Sequence, residues 1–232
     1  MKLTLKNKIM KKQFLLFVLV SLLAVNLNAQ ITSNYFEHVP YIGALDESND
    51  WTDGWANFDP QTEVYGTATV TIQDSIWQNT TWDAGTVYKL MGMVYVTSGA
   101  TLTIPAGTVI RGGNGTASLI IEPGAKIIAE GTVANPIVFT SNYPPGDRQA
   151  GDWGGVVICG KALNNLPGGT GIIEGGIRTA HGGNVPNDDS GILKYVRVEF
   201  AGYAFQPNKE INGLTFGSVG SGTIIEYVQV SF

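Results

Sequence analysis

The sequence predicts an all-β fold, a parallel β-helix in which short strands wind into stacked coils. Short runs rich in β-branched residues alternate with turns of Gly, Pro and Asn, and the chain contains 30 Gly among its 232 residues. The segment 94–141 also matches itself when it is shifted along the chain. A short self-similar unit with such turns is typical of solenoids, whose coils bury their apolar side chains against their neighbours.

The first repeat has a shift of 17 residues, which aligns the following pairs: Ala100 with Ala117, Leu102 with Leu119, Ile104 with Ile121, Gly107 with Gly124, and Ile110 with Ile127. Alternate side chains of a strand face opposite sides, so Leu102, Ile104, Leu119 and Ile121 are expected to face inward. We interpret the shift as one coil, which would stack Leu102 on Leu119 at the ordinary strand spacing of about 4.8 Å. The Pro-Ala-Gly and Pro-Gly sequences that follow these strands predict the corners.

A second repeat closes the chain. Residues 192–200 match residues 224–232 at an offset of 32, which we interpret as one coil plus an insertion. Because the sequence stops within this strand at Phe232, we expect the β-helix to be incomplete at its C-terminus. We place the β-helix at 86–232 and expect the given chain to be part of a longer protein.

Residues 1–29 have the features of a signal peptide. Lys11 and Lys12 precede an apolar stretch of about 12 residues, and Ala29 provides a small residue at a cleavage site. The apolar stretch is shorter than the roughly 20 residues that span a bilayer. We therefore predict cleavage after Ala29, a secreted or outer-surface location, and no stable membrane span in the mature chain.

The composition after this leader argues against some functions. The chain after the leader has nine basic and 19 acidic residues, a formal charge of −10. An acidic surface repels phosphate backbones, which disfavours a nucleic-acid partner. Cys159 is the single cysteine and is predicted to be a buried apolar residue and not a nucleophile. His38 and His181 are too few for a zinc site, and we expect His181 to be a solvated turn residue. The composition does not indicate an oligomeric state.

Residues 30–85 are predicted to form an N-terminal cap or lead-in region. Acidic residues including Asp50 and Asp53 lie among Trp51, Trp55 and Phe58. Such a segment could bind calcium or a sugar ring, but its spacing does not fit an EF-hand loop. We favour a cap that covers an open end of the solenoid, because an open end exposes unpaired strands.

Loops in 142–190 are rich in Gly, Asn, Asp and Pro and are expected to project from the coils, where solenoids often carry function. The candidate glycan or calcium contacts are Asp147, Arg148, Asp152, Glu174, Asp188 and Asp189. Two carboxylates could act as acid and base on a glycan, or several could hold calcium against a uronate. We favour a third reading, in which these aspartates cap their own turns. We therefore assign no catalytic residue, no metal site and no cofactor, with structural calcium as the alternative.

Several segments together resemble a known family. They are 99–113, 122–141, 152–162, 188–202 and 211–232, and over roughly 86–232 they resemble the secreted parallel β-helix proteins of Bacteroidetes-type bacteria. The resemblance implies a pectate-lyase-like fold, a right-handed helix and, often, export by the type IX secretion route.

Two functional hypotheses follow. The favoured one is a non-enzymatic adhesin or glycan-binding scaffold whose partner is extracellular polysaccharide. The alternative is a calcium-assisted polysaccharide lyase or a glycoside hydrolase that uses loop carboxylates in 142–190. Fold alone does not decide between them.

Overall fold

A computed structural model describes residues 44, 45, 48, 50–207 and 209–232. The predicted signal peptide and most of 30–49 lie outside the described residues. The chain divides into two units, Met1–Asn49 and Asp50–Phe232, and the architecture below is that of the second unit. Its described residues include two short 3-10 helices, Pro60–Thr62 and Pro167–Gly169, and are otherwise strands and turns.

The described residues form seventeen strands. In chain order they are β1 (Val70–Ile72), β2 (Thr80–Thr81), β3 (Val87–Leu90), β4 (Met93–Val96), β5 (Thr101–Ile104), β6 (Val109–Gly112), β7 (Ser118–Ile121), β8 (Lys126–Glu130), β9 (Ile137–Ser141), β10 (Gly155–Cys159), β11 (Gly171–Ile172), β12 (Ala180–His181), β13 (Gly191–Glu199), β14 (Ala204–Gln206), β15 (Lys209–Glu210), β16 (Leu214–Gly217) and β17 (Ile224–Ser231).

Parallel pairing of these strands builds three faces. Face A contains β1, β3, β6, β9 and the second half of β13. Face B contains β4, β7, β10 and β16, and face C contains β2, β5, β8 and the first half of β13. Strand β17 pairs with both halves of β13. The chain visits the three faces in turn, which confirms the predicted parallel β-helix. The parallel ladder begins at β1, within the segment that the sequence assigned to the lead-in region.

The predicted inward positions are confirmed. Leu102, Ile104, Leu119 and Ile121 are all buried in one central hydrophobic cluster. In β5 the buried residues alternate with partly exposed threonines, as a strand with one face on the core requires. The corners are also as expected, because Gly107 follows β5 at a φ of 77°.

The predicted stacking of the first repeat is wrong. Leu102 pairs with Ile127, and Leu119 pairs with Val94 and Val156. The shift of 17 residues relates the pair β5–β6 to the pair β7–β8, and these pairs occupy different faces. Because a coil has three strands, a two-strand repeat unit does not correspond to one coil. The offset of 32 is confirmed as one coil plus an insertion, since Ile192 pairs with Ile224.

The insertion between β10 and β13 covers face B instead of projecting from it. Strands β7 and β10 are buried along their whole length, as is typical of parallel strands covered on both sides. Ile177 of the insertion packs into a second hydrophobic cluster with Ile120, Val157 and Cys159. Burial raises the pKa of the Cys159 thiol to about 11, so it is an unreactive apolar residue at neutral pH, as predicted.

The segment 50–69 crosses the outside of face A, and we name it the strap. Trp55 is 2% exposed and packs edge-on against Tyr195 and Tyr227 of the last two coils. Further along, Gln229 of β17 donates to the Asn57 carbonyl, and the Thr69 amide donates to the Val87 carbonyl of β3. The strap, which is only part of the predicted cap region, therefore lies along the flank of the coils and contacts face A.

Candidate functional site

Parallel stacking places two cations side by side on face A. One outward row of residues in register reads Thr71, Lys89, Arg111 and Thr140. Neighbouring positions in such a row are about 4.8 Å apart between strands, so Lys89 and Arg111 are adjacent like charges. Like charges directly opposite each other destabilise a sheet. A fold that keeps such a pair without an acidic neighbour is suited to bind an anion.

These two residues lie at a surface groove of about 490 Å³. One wall is the strap from Val64 to Ala68, and the other is the loop after β9, with Asn142, the two prolines that follow Tyr143, and Arg148. None of the described residues that line the groove is acidic. We call this site the cationic groove.

Arg148 is the most deeply buried cation of the groove, at 3% exposure. Its Nη1 donates to the Pro60 carbonyl at 2.9 Å, and its guanidinium lies 5.1 Å from the Tyr65 ring centre. Its Nη2 is buried and has no hydrogen-bond partner among the described residues. An unpartnered buried charged donor costs free energy, and the side chain that carries it lines the groove.

Arg111 is held in place by neutral groups. Its Nη1 donates to the Gly66 carbonyl at 2.5 Å and its Nη2 to the Tyr143 carbonyl at 3.0 Å. These carbonyls orient the guanidinium without neutralising its charge. Burial and the nearby charge of Arg148 lower the pKa of Arg111, so the two guanidinium groups repel each other. Lys89 adds a third cation to the lining of the groove.

Beyond one wall of the groove lies a buried ionic cluster. The Tyr65 hydroxyl donates to the Glu199 carboxylate at 2.8 Å, and Arg197 Nε lies 3.2 Å from the same carboxylate. Arg197 also donates to the Trp55 carbonyl and to the Tyr65 hydroxyl. This cluster fastens the strap, and with it the groove wall, to β13.

The structure brings only some of the predicted site residues to the groove. Arg148 lines it, and Asp147 is an exposed turn residue beside Arg148. Asp152 is buried and accepts hydrogen bonds from the Ser141 hydroxyl at 2.5 Å and from the Gln149 amide at 3.0 Å. Asp152 therefore shapes the loop that presents Arg148.

The other predicted residues lie on the insertion between β10 and β13. Asp188 is buried and accepts hydrogen bonds from the Lys161 amide and the Ser190 hydroxyl. Asp189 is exposed and pairs with Lys126 at 2.6 Å, and this hydrogen bond lowers the pKa of Asp189. Glu174 is exposed in a turn. Asp189 accepts from the Gly191 amide two residues further on, as a turn-capping aspartate does, whereas the backbone partner of Asp188 is the distant Lys161 amide.

These contacts predict different effects for two adjacent aspartates. Asp188→Ala should lower the free energy of unfolding by about 2 kcal/mol, because the buried Ser190 hydroxyl and the partly buried Lys161 amide lose their acceptor. Asp189→Ala should cost less, about 1 kcal/mol, because it removes a solvent-exposed ion pair and one hydrogen bond from the Gly191 amide. Thermal melting of both variants measures the difference. Equal melting temperatures would contradict the structural role assigned to Asp188.

The expectation for His181 is wrong. It is buried, and its Nδ1 lies 2.9 Å from the Ser218 hydroxyl oxygen. Burial lowers the pKa of His181, so its imidazole is neutral at pH 7. It packs beside Gly217 of β16, because the insertion closes over face B at this point.

The described residues contain neither a candidate metal site nor a candidate membrane span. No group of three or more His, Cys, Asp or Glu side chains there is arranged to hold a metal ion. Within 50–207 and 209–232, no helix has the length and hydropathy that a bilayer crossing needs.

Comparison with known families agrees with this architecture. Residues 70–231 match the model of a family described as a pectate-lyase-like beta helix domain. The chain belongs to this family. The matched segment of this β-helix protein begins at β1 and ends with β17, the same range as the parallel ladder. No curated protein and no solved structure matches the chain significantly.

Sequence reasoning found Arg148 but missed Lys89 and Arg111. It looked for carboxylates on loops, whereas these two cations lie within strands. A signal was present, because the segments VYKL and VIRG place a cation at the same position of two strands. The parallel register was needed to show that these positions are adjacent.

Proposed function

We propose that this β-helix protein is a secreted or cell-surface scaffold that binds acidic polysaccharide in the cationic groove and does not cleave it. The observation that carries the proposal is the convergence of Lys89, Arg111 and Arg148 on one groove, among whose described lining residues none is acidic. The ligand group would be a uronate carboxylate or a sulfate ester, since both offer oxygens to guanidinium and ammonium donors. The open groove suits one charged group on an extended chain.

The proposed scaffold acts outside the cell because the sequence predicts a cleaved leader before Gln30. An acidic surface with one local cationic groove would also restrict binding to that groove. Elsewhere on the surface, an acidic chain would be repelled by the excess of acidic residues.

The alternative of a calcium-assisted lyase or glycoside hydrolase has less support. Asp152 and Asp188 are committed to hydrogen bonds within their loops, and Asp189 pairs with Lys126. A paired acid and base would need two carboxylates facing one substrate position. Incubation with uronate and sulfated polysaccharides in calcium tests this directly, and release of new chain ends would overturn the non-enzymatic proposal.

The binding proposal predicts the effect of a charge-removing substitution. Lys89→Gln should weaken binding of an acidic oligosaccharide by roughly fivefold, because one exposed charge pair contributes about 1 kcal/mol. Isothermal titration calorimetry with an oligouronate and with a sulfated oligosaccharide measures this loss and shows which group is preferred. A neutral oligosaccharide should not bind.

Lys209→Gln is the matched control, because Lys209 is an exposed lysine that does not line the groove. It should leave the affinity unchanged. Equal losses for both lysine variants would mean that binding follows net charge and not the groove. An absence of binding to every acidic probe would overturn the proposal.

A further inference from the structure

The cationic groove has a buried counter-charge behind its wall. Glu199 is 0% exposed, and both of its carboxylate oxygens accept from the Tyr65 hydroxyl, at 2.8 and 2.9 Å. Glu199 directly follows Val198, which pairs with Phe139 on face A. Glu199 therefore lies beside Thr140, the last position of the row that contains Lys89 and Arg111. Burying a carboxylate away from water costs free energy unless nearby cations compensate its charge.

We propose that Glu199 is a proton-linked counter-ion of the groove, so that binding of an acidic ligand is coupled to proton uptake by this carboxylate. The inference rests on the proposed function and concerns the regulation of the same site. Proton uptake by Glu199 on binding would make the protein bind acidic ligands more tightly as the medium becomes more acidic.

The coupling passes through Tyr65 and two arginines. The Arg148 guanidinium lies 5.1 Å from the Tyr65 ring centre, and the Arg197 guanidinium lies 6.0 Å from the same centre. Both cations therefore surround the residue that is bonded to Glu199. An anion at Arg148 would compete with Glu199 for these positive charges, and the bound state would favour the neutral form of Glu199.

The surroundings of Glu199 agree with a proton-accepting role. Burial raises the pKa of Glu199, while the charge of Arg197 and the hydrogen bond from Tyr65 oppose that rise. The strap contributes Tyr65, the loop after β9 contributes Arg148, and β13 itself contributes Arg197. The neighbouring positions of β9 and β17 hold the uncharged side chains of Thr140 and Ser231.

The direction of the pH dependence follows from this shift. A bound anion raises the pKa of Glu199 further, so the complex holds more protons than the free protein between the two pKa values. Affinity should therefore rise as pH falls through this interval and level off once Glu199 is protonated in the free protein. Because the free-protein pKa already exceeds the ordinary glutamate value, the interval lies above the range in which exposed glutamates titrate.

The test uses a sulfated tetrasaccharide without carboxylates, because its sulfate esters stay ionised throughout. Affinity is measured by calorimetry from about pH 8 to about pH 5, in buffers of different ionisation enthalpy. The wild type should bind roughly fivefold or more tightly at the acidic end and take up protons on binding. Glu199→Gln keeps an acceptor for the Tyr65 hydroxyl and should bind with little pH dependence, near the acidic wild-type affinity.

Glu63→Gln is the matched control, since Glu63 is an exposed carboxylate on the same strap. It should retain the pH dependence of the wild type. Binding with a pH-independent affinity would overturn the inference and leave the proposed function standing, whereas absence of binding at every pH would overturn both. If Glu199→Gln does not fold, buffer-independent binding enthalpies of the wild type would overturn the inference by themselves.

Discussion

Replacing Ile121 with aspartate should abolish cooperative folding of the coils. Ile121 is 0% exposed and lies on β7 between Val96 and Ile158 of the adjacent coils. The substitution removes an aliphatic side chain from the central cluster, which alone costs about 2–5 kcal/mol, and introduces an unpaired charge there. Since domains are typically stable by only about 5–15 kcal/mol, the combined cost should leave little or no folded protein.

The measurement is thermal melting followed by circular dichroism, with two control variants. Ile172→Asp makes the same substitution at a residue that is 67% exposed, and it should leave the melting temperature almost unchanged. Ile121→Val removes one methylene and should cost about 0.5–1.5 kcal/mol. A melting transition of Ile121→Asp that matches the wild type would refute the inward position of this side chain.

The inward position of Ile121 was predictable, because it depends only on local alternation along a strand. The partner of Ile121 was not, because stacking depends on how many strands complete a coil. The shift of 17 residues is the strongest local match, yet it joins strands of different faces. The register pairs Leu102 with Ile127, at an offset that the insertions make different for each coil.

There is a structural reason why the closing repeat predicted the stacking of the coils correctly and the first repeat did not. The Pro/Gly corner of the first repeat occurs at two different bends, after β5 and after β7, whereas the closing repeat contains a bend between faces C and A that a tyrosine makes. Tyr195 and Tyr227 both adopt a positive φ at this bend, 49° and 52°, and their rings stack at 4.5 Å. A repeat that includes such a bend fixes the coil, whereas a strand–corner–strand unit does not.

The cationic groove was not predictable for the same reason. Its residues come from the strap, from β3, from β6 and from the loop after β9, and only the parallel register brings them together. Arg148 entered the prediction through its loop, but the burial of its guanidinium depends on the strap, whose Pro60 carbonyl accepts from it. The strap was expected at an end of the solenoid, so its contact with this loop was not expected.

Gly191→Ala should be among the most destabilising small substitutions in the protein. Gly191 begins β13 on face C, has a φ of 112° and pairs with Ile127 of the preceding coil. A Cβ atom at this position would overlap the Ile127 carbonyl oxygen. Because the obstacle is backbone, no rotamer change can relieve it, and the coils would have to separate locally. We expect a loss of about 3 kcal/mol or more in the free energy of unfolding.

Gly99→Ala separates the two causes of this loss, which are the strain of a positive φ and the overlap with neighbouring backbone. Gly99 also has a positive φ, 87°, but a Cβ atom there would meet nothing within 4 Å. It should therefore cost only the backbone strain, about 1–2 kcal/mol. Chemical denaturation of both variants gives the difference, which measures the close approach between β13 and β8. Equal losses for the two variants would mean that no backbone lies close to Gly191. Such a gap is incompatible with parallel pairing of Gly191 and Ile127, and the assignment of β13 to face C would then be wrong.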